Sequence, residues 1–175
     1  MIQAAPTTTC GTHTQSGKVV AVCVSAGGIP KRTLAAAQVT ASGLTGDGHA
    51  HAKHIRSERA LSLFDMEILA QLRREGFALY PGAIGENLTV VGLNVQLLPS
   101  GTLLEIGNVV IRLEEPRKPC YVLDTIHPCL KDVIVGRCGY MASVVQEGRI
   151  EAGMDVVELN AGATRVAALQ QAGNH

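Results

Sequence analysis

Glycine sets the spacing of this chain: 19 glycines are spread over 175 residues, and the apolar runs between them are short. The longest, Val19 to Ala26, is the size of one strand and far below the roughly 18 apolar residues that span a bilayer. Short β-rich runs bounded by Gly turns predict a mostly β architecture, a barrel or a sandwich. Lys18 to Ser25 reads as a first strand ended by Gly27-Gly28 and Pro30, and Arg59-Ala60-Leu61-Ser62-Leu63 as another. Leu103 to Ile106 and Val109 to Leu113 flank Gly107-Asn108, two residues that tolerate φ > 0 and so signal a hairpin. Tyr140 to Gln146 and Asp155 to Leu159 are late strands, separated by Glu147-Gly148 and Gly153. One helix stands out: Asp65 is placed to N-cap it, Met66, Leu69 and Leu72 form its apolar face, and Gly76 follows as a C′ stop. No GxGxxG links a strand to a helix, so a Rossmann fold is not predicted.

The length fits one domain of about 100–200 residues. The expected division is a loose arm over 1–17, a single domain over 18–160 and a tail over 161–175. With 46% hydrophobic and 17% charged residues there is apolar material for a core, and disorder is excluded. Fifteen Lys and Arg balance fifteen Asp and Glu, so no net field recruits a polyanion, and nucleic acid is not an expected partner. Residues 1–17 lack the basic and apolar regions of a secretory signal, and the expectation is a cytoplasmic protein with no membrane partner. There, Cys10, Cys23, Cys120, Cys129 and Cys138 are thiols rather than a disulfide framework, and no CxxC pair supports a zinc ribbon.

Four segments can carry chemistry. Glu114-Glu115-Pro116-Arg117-Lys118-Pro119-Cys120 reads as a proline-stiffened loop at the sheet rim. Arg117 and Lys118 put positive charge beside Cys120, which favours the thiolate that attacks sulfur donors or binds soft metals, and the same cations suit a phosphate. A lone cysteine is also consistent with a small buried hydrophobe. Gly46-Asp47-Gly48-His49-Ala50-His51-Ala52-Lys53-His54 offers three imidazoles, either a zinc or iron site or a loop whose rings hydrogen-bond locally. Compared with the H-x-H-x-D-H run of metallo-β-lactamase-type hydrolases, Lys53 replaces the Asp and a ligand is lost. Pro81-Gly82-Ala83-Ile84-Gly85-Glu86-Asn87-Leu88-Thr89 supplies donors and acceptors where a strand begins, for a polar heterocycle or for plain turn chemistry. Gly136-Arg137-Cys138-Gly139-Tyr140 holds a second thiol beside an arginine, or simply a bend.

In order, these segments resemble the MOSC domain, the C-terminal module of molybdenum cofactor sulfurases that also occurs as small stand-alone bacterial proteins. The resemblance runs from about Lys18 to Leu159. It rests on Gly27-Gly28-Ile29-Pro30-Lys31 as the early Gly-Pro-Lys turn, Gly43-Leu44-Thr45-Gly46-Asp47 as G-x-x-G-D, and Arg59-Ala60-Leu61 as R-A-V. Gly85-Glu86-Asn87-Leu88-Thr89 matches G-E-N-L-T letter for letter, and Arg117-Lys118-Pro119-Cys120 matches R-x-P-C. Ile55-Arg56-Ser57 stands where many members have His-Gly-Gly.

The resemblance implies a mostly β fold, a MOSC-type β-barrel like that of pyruvate kinase, with a few short helices. It implies the molybdenum cofactor, a pterin-bound molybdenum centre, as partner, and Cys120 as the functional cysteine, either ligating molybdenum or carrying sulfur as a persulfide. Arg117 is then placed for anion binding or thiolate activation, and Lys118, Asp47, His49, His54, Arg59, Glu86, Asn87 and Thr89 line the cofactor pocket. A sulfur-donor or redox protein is an implied partner, and reduction of N-hydroxylated compounds an implied activity. Pyridoxal phosphate belongs to the transferase domain of the fused sulfurases and is not inferred here. Two other classes remain open: a metal-dependent hydrolase using His49, His51 and His54, and a non-catalytic partner-binding module. Cys23 is expected in strand packing and Cys10 in the arm, with Cys129 and Cys138 unassigned.

Overall fold

The first strand makes the fold possible by pairing with three others. In the computed structural model, which describes residues 15–48 and 57–159, β1 (Ser16–Val24) starts two residues ahead of the expected strand start at Lys18. Its first residues pair with β11 (Asp155–Leu159), Ser16 opposite Val157 and Lys18 opposite Asp155. Along the other side it pairs with β6 (Leu88–Val91), and the register shifts between Val19 and Ala21. Such a bulge bends a strand. Past it, Val22, Cys23 and Val24 pick up β2 (Arg32–Leu34).

The remaining pairings complete a ring. β11 pairs with β7 (Leu103–Ile106), β7 with β8 (Val109–Pro116), β8 with β9 (Tyr140–Gln146), β9 with β5 (Leu61–Asp65), and β5 with β6. Seven strands therefore close on themselves, with β5 and β6 the parallel pair. Closure removes the exposed edges that an open sheet would leave. A smaller sheet of β3 (Ala36–Thr40), β4 (Gly43–Leu44) and β10 (Gly148–Glu151) packs Ala37, Val39, Leu44 and Ile150 into the same core as the ring. The fold is the expected mostly β barrel with few helices.

That core is apolar: Leu61, Leu63, Leu88, Leu104, Ile106, Ile111 and Leu113 are fully buried. A second cluster lies on the other face of β5, where α1 (Met66–Arg74), the 3-10 turn Tyr121–Thr125 and the single helical turn α2 (Leu130–Val133) pack Leu69, Leu72, Leu123, Leu130 and Ile134 around Phe64. All five residues of β5 are buried as a result. A buried Leu or Ile side chain contributes about 1.5–3 kcal/mol, whereas an exposed ion pair is worth about 0–1 kcal/mol. The Lys18–Asp155 pair across the seam, with side chains 60% and 71% exposed, is therefore minor beside the apolar contacts. Among the described residues no helix is long and apolar enough to cross a membrane.

Several local expectations are corrected. Arg59 is not in a strand: it ends the 3-10 turn Ser57–Arg59, and β5 begins at Leu61. Glu114, Glu115 and Pro116 belong to β8 rather than to a rim loop, because a bulge between Leu113 and Glu115 lets the strand continue to Pro116 opposite Tyr140. Gly148, expected only to separate the two late strands, opens a further strand between them, β10. In the hairpin only Gly107 takes a positive φ, 61°. Asp65 occupies the N-cap position of α1, yet its carboxylate does not cap that helix. It accepts from the backbone N–H of Val95 (2.8 Å) and Gln96 (3.3 Å) in the 3-10 turn Val95–Leu97.

Burial pushes the pKa of Asp65 up to about 6, although those two N–H bonds pull it down and Glu67 adds to the rise. The folded pKa lies above the ordinary value of about 3.9, so between about pH 4 and pH 6 the native state binds more protons than the unfolded chain. The contribution of Asp65 to stability therefore falls as the pH rises through that window and is level above it. Urea titrations should show the stability of Asp65→Asn, relative to wild type, climbing from pH 4 to pH 7. A flat or falling difference would contradict this.

Candidate functional site

The barrel carries its polar chemistry at the start of β6. Asn87 is buried there and ties three segments together. Its Oδ1 accepts from the N–H (3.1 Å) and hydroxyl (3.2 Å) of Ser62 in β5. Its Nδ2 donates to the carbonyl of Cys23 in β1 (3.3 Å) and to Asp47 Oδ2 (2.7 Å). Asp47 Oδ1 accepts from the N–H of Ser25 (2.9 Å), and Lys31 Nζ sits 2.6 Å from Asp47 Oδ2. The Lys31 and Asp47 side chains are 11% and 5% exposed, so this is a buried ion pair. Burial lowers the pKa of Lys31 while Asp47 opposes that shift.

Glu86, one residue upstream, is fully buried. Its Oε1 accepts from the N–H of Gly82 (2.6 Å) and from Thr89 Oγ1 (3.0 Å), and its Oε2 is buried with no hydrogen-bond partner among the described residues. Arg117 donates from Nη2 to the carbonyl of Ile84 (2.6 Å), and its Nη1 is likewise buried without a partner. The charges of Arg117 and Glu86 both act on Lys31. One donor and one acceptor thus remain unsatisfied in the same polar region, and buried polar groups are ordinarily satisfied.

Cys120 lies at the exit of this region. The Arg117 N–H donates to the carbonyl of Gly139 (2.8 Å), carrying the β8–β9 pairing one step past Pro116 and Tyr140. Lys118 and Pro119 then lead to Cys120, whose carbonyl accepts from the Leu123 N–H (3.0 Å) at the head of the 3-10 turn. Its thiol is exposed, as is that of Cys129, whereas Cys23 and Cys138 are buried. Burial, reinforced by the Glu86 carboxylate, pushes the Cys23 thiol up to about 12. Burial raises the Cys138 thiol too, and the cation of Arg117 counters it. The four described cysteines therefore differ sharply in access to reagents.

Asp47 pairs with Lys31, the charges of Glu86 and Arg117 act on it, Asn87 joins through Asp47 and Thr89 through Glu86, and Lys118 and Cys120 lie on the loop that follows Arg117. Arg59 pairs through Nη2 with Glu115 of β8, two residues before Arg117, at 2.7 Å. His49, His51 and His54 lie outside the described residues, as does Cys10. Among the described residues no three His, Cys, Asp or Glu side chains are arranged to hold a metal ion. Lys31 is a site residue that its motif, Gly27-Gly28-Ile29-Pro30-Lys31, does not by itself single out. The signal for it is a lysine fixed behind a proline, 16 residues before its carboxylate partner.

A barrel of this topology with this residue order defines a family. The family model described as "MOSC domain" matches residues 50–157, more than half of the chain, and the chain belongs to that family. Among individual relatives, it is 31% identical over 124 residues to Protein YiiM of Escherichia coli strain K12, covering 65% of this chain and 55% of that protein. It is 32% identical over 120 residues to a protein named Reductase from Gibberella moniliformis, covering 63% of this chain and 21% of that one. The chain thus spans only a part of both curated relatives. The crystal structure of YiiM from Geobacillus stearothermophilus superposes with a TM-score of 0.68 at 26% identity, covering 84% of this chain and 77% of that one.

Removing one member of a buried ion pair strands the other charge, at a cost of about 3–5 kcal/mol. Lys31→Met should lower the unfolding free energy by about that amount in urea, because Asp47 keeps only neutral partners. A loss no larger than that of an exposed lysine would show the pair to be unimportant.

Proposed function

We propose that this chain binds the molybdenum cofactor beside the Arg117–Cys120 segment and that Cys120 is its working thiol. The observation that carries the reading is the placement of an exposed thiol three residues beyond an arginine whose Nη1 is buried and unpartnered. The donor set fits such a ligand. Arg117, Lys118 and Lys31 suit its anionic portion, and the orphaned Glu86 Oε2 suits a hydrogen-bond donor on a heterocycle. A soft thiolate suits the metal. Asp47, Asn87 and Thr89 hold Lys31, the end of β1 and Glu86 in place around it. The family resemblance assigns His49, His54 and Arg59 to cofactor binding as well.

When bound, the cofactor supplies a metal centre that exchanges electrons in pairs. Cys120 holds it from the protein side, and Arg117 balances the negative charge of the ligand and thiolate. The same exposed thiol can instead carry sulfur as a persulfide received from a donor protein, which its position on the surface permits. Reduction of N-hydroxylated compounds is the activity we assign to the metal-bound form, supported by the relative named Reductase. We place this chemistry in the cytoplasm, where the thiols stay reduced.

The test is elemental analysis and pterin fluorescence after expression in a host that makes the cofactor. Wild type should retain both molybdenum and pterin. Cys120→Ser should lose molybdenum by about tenfold or more while keeping pterin. Equal molybdenum in the two proteins would remove Cys120 as ligand, and absence of both from wild type would overturn cofactor binding. Sulfur carriage predicts one added sulfur atom on Cys120 by mass spectrometry after exposure to a persulfide donor, and none on Cys129.

A further inference from the structure

We infer that Gln96 is the positioning residue of the Arg117–Cys120 segment, an inference that rests on the reading of Cys120 as the working thiol. Gln96 lies outside every motif named above, and its side chain reaches a backbone unit that holds the start of that segment. Its Oε1 accepts from the Gly139 N–H at 2.8 Å. The carbonyl of the same glycine accepts from the Arg117 N–H, also at 2.8 Å.

Gly139 is held on a third side as well. Its φ is +86°, and a Cβ there would lie 2.0 Å from the carbonyl oxygen of Leu63, so its backbone is pressed against β5. No strand neighbour serves its N–H, and the carboxamide of Gln96 takes that place. Gln96 itself is fixed from below, since buried Asp65 at the end of β5 accepts from its N–H (3.3 Å) and from that of Val95 (2.8 Å). An unbroken series of bonds therefore runs from Asp65 through the 3-10 turn and Gln96 to Gly139 and Arg117. From Arg117 onward one exposed residue and one proline lead to Cys120, so a shift at Gly139 passes to the thiol with little slack. Supporting contacts of this kind set how accurately a ligand or reactive side chain is held.

Amide hydrogen exchange at Arg117, a group Gln96 does not touch, is the measurement. Gln96→Met keeps the length of the side chain and removes the acceptor. It should speed exchange at the Arg117 amide by about fivefold, the size of one hydrogen bond. Gln96→Glu keeps an acceptor oxygen and should restore slow exchange. Both variants should melt within about 5 °C of wild type, as does loss of one partly exposed bond. Unchanged exchange at Arg117 in Gln96→Met overturns the inference, and so does equal acceleration in Gln96→Glu. If Gln96→Met unfolds broadly, Gln96→Ala is read in its place, and a large fall in melting temperature in both would make Gln96 a general structural residue instead. Molybdenum retained by Gln96→Met should drop by about tenfold. Wild type without molybdenum would remove the cofactor reading, while the exchange rates would still decide the role of Gln96.

Discussion

A single carboxamide holds the polar end of this barrel together. Asn87 meets β1 at Cys23, β5 at Ser62 and the turn at Asp47, using both its oxygen and its nitrogen. An amide is suited to the position because it both donates and accepts without carrying charge. A carboxylate there would face Asp47, and an aliphatic residue would leave Ser62 and Asp47 short of partners in a region where water cannot replace them. The Lys31–Asp47 pair depends on this arrangement, since Asp47 Oδ2 is shared between Lys31 and Asn87. The polar site is thus part of the support of the barrel.

The neutral net charge of the chain conceals an uneven distribution. The charges of Asp47, Glu86 and Arg117 all act on Lys31, beside a barrel core that is apolar. Two of the four retain an unpartnered atom, Glu86 Oε2 and Arg117 Nη1. Bringing charge into such a place is unfavourable unless it is paired and hydrogen-bonded, and here the pairing is deliberate for Lys31 and incomplete for Arg117. That contrast separates a lysine whose charge is met within the fold from an arginine that keeps a buried donor without a partner.

Much of this was legible in the residues. Glycine-bounded apolar runs located the late strands Tyr140–Gln146 and Asp155–Leu159 with their observed ends, because strand length and turn chemistry are local properties. The order of motifs from Gly27 to Cys120 pointed to the right family and barrel. The errors fell where a distant contact overrides a local rule. Asp65 has the right residue type and place to cap α1, yet its oxygens are taken by Val95 and Gln96. Glu115 and Pro116 look like loop and are kept in β8 by the bulge and by Met141 and Tyr140 across from them. Arg59 looks like the start of a strand and instead ends a 3-10 turn, paired across to Glu115 of β8. Gln96 acts through a contact 43 residues away, and no local pattern encodes it.

Cys23 has a consequence of a different kind. Its thiol is fully enclosed in β1 between the barrel core and the Glu86 region, and both its peptide N–H and its carbonyl are committed to Asn87. A reagent in solvent reaches that sulfur only when the strand parts from its neighbours. The pace at which Cys23 becomes labelled is therefore a clock for breathing of the barrel, built into the chain beside the site it would report on.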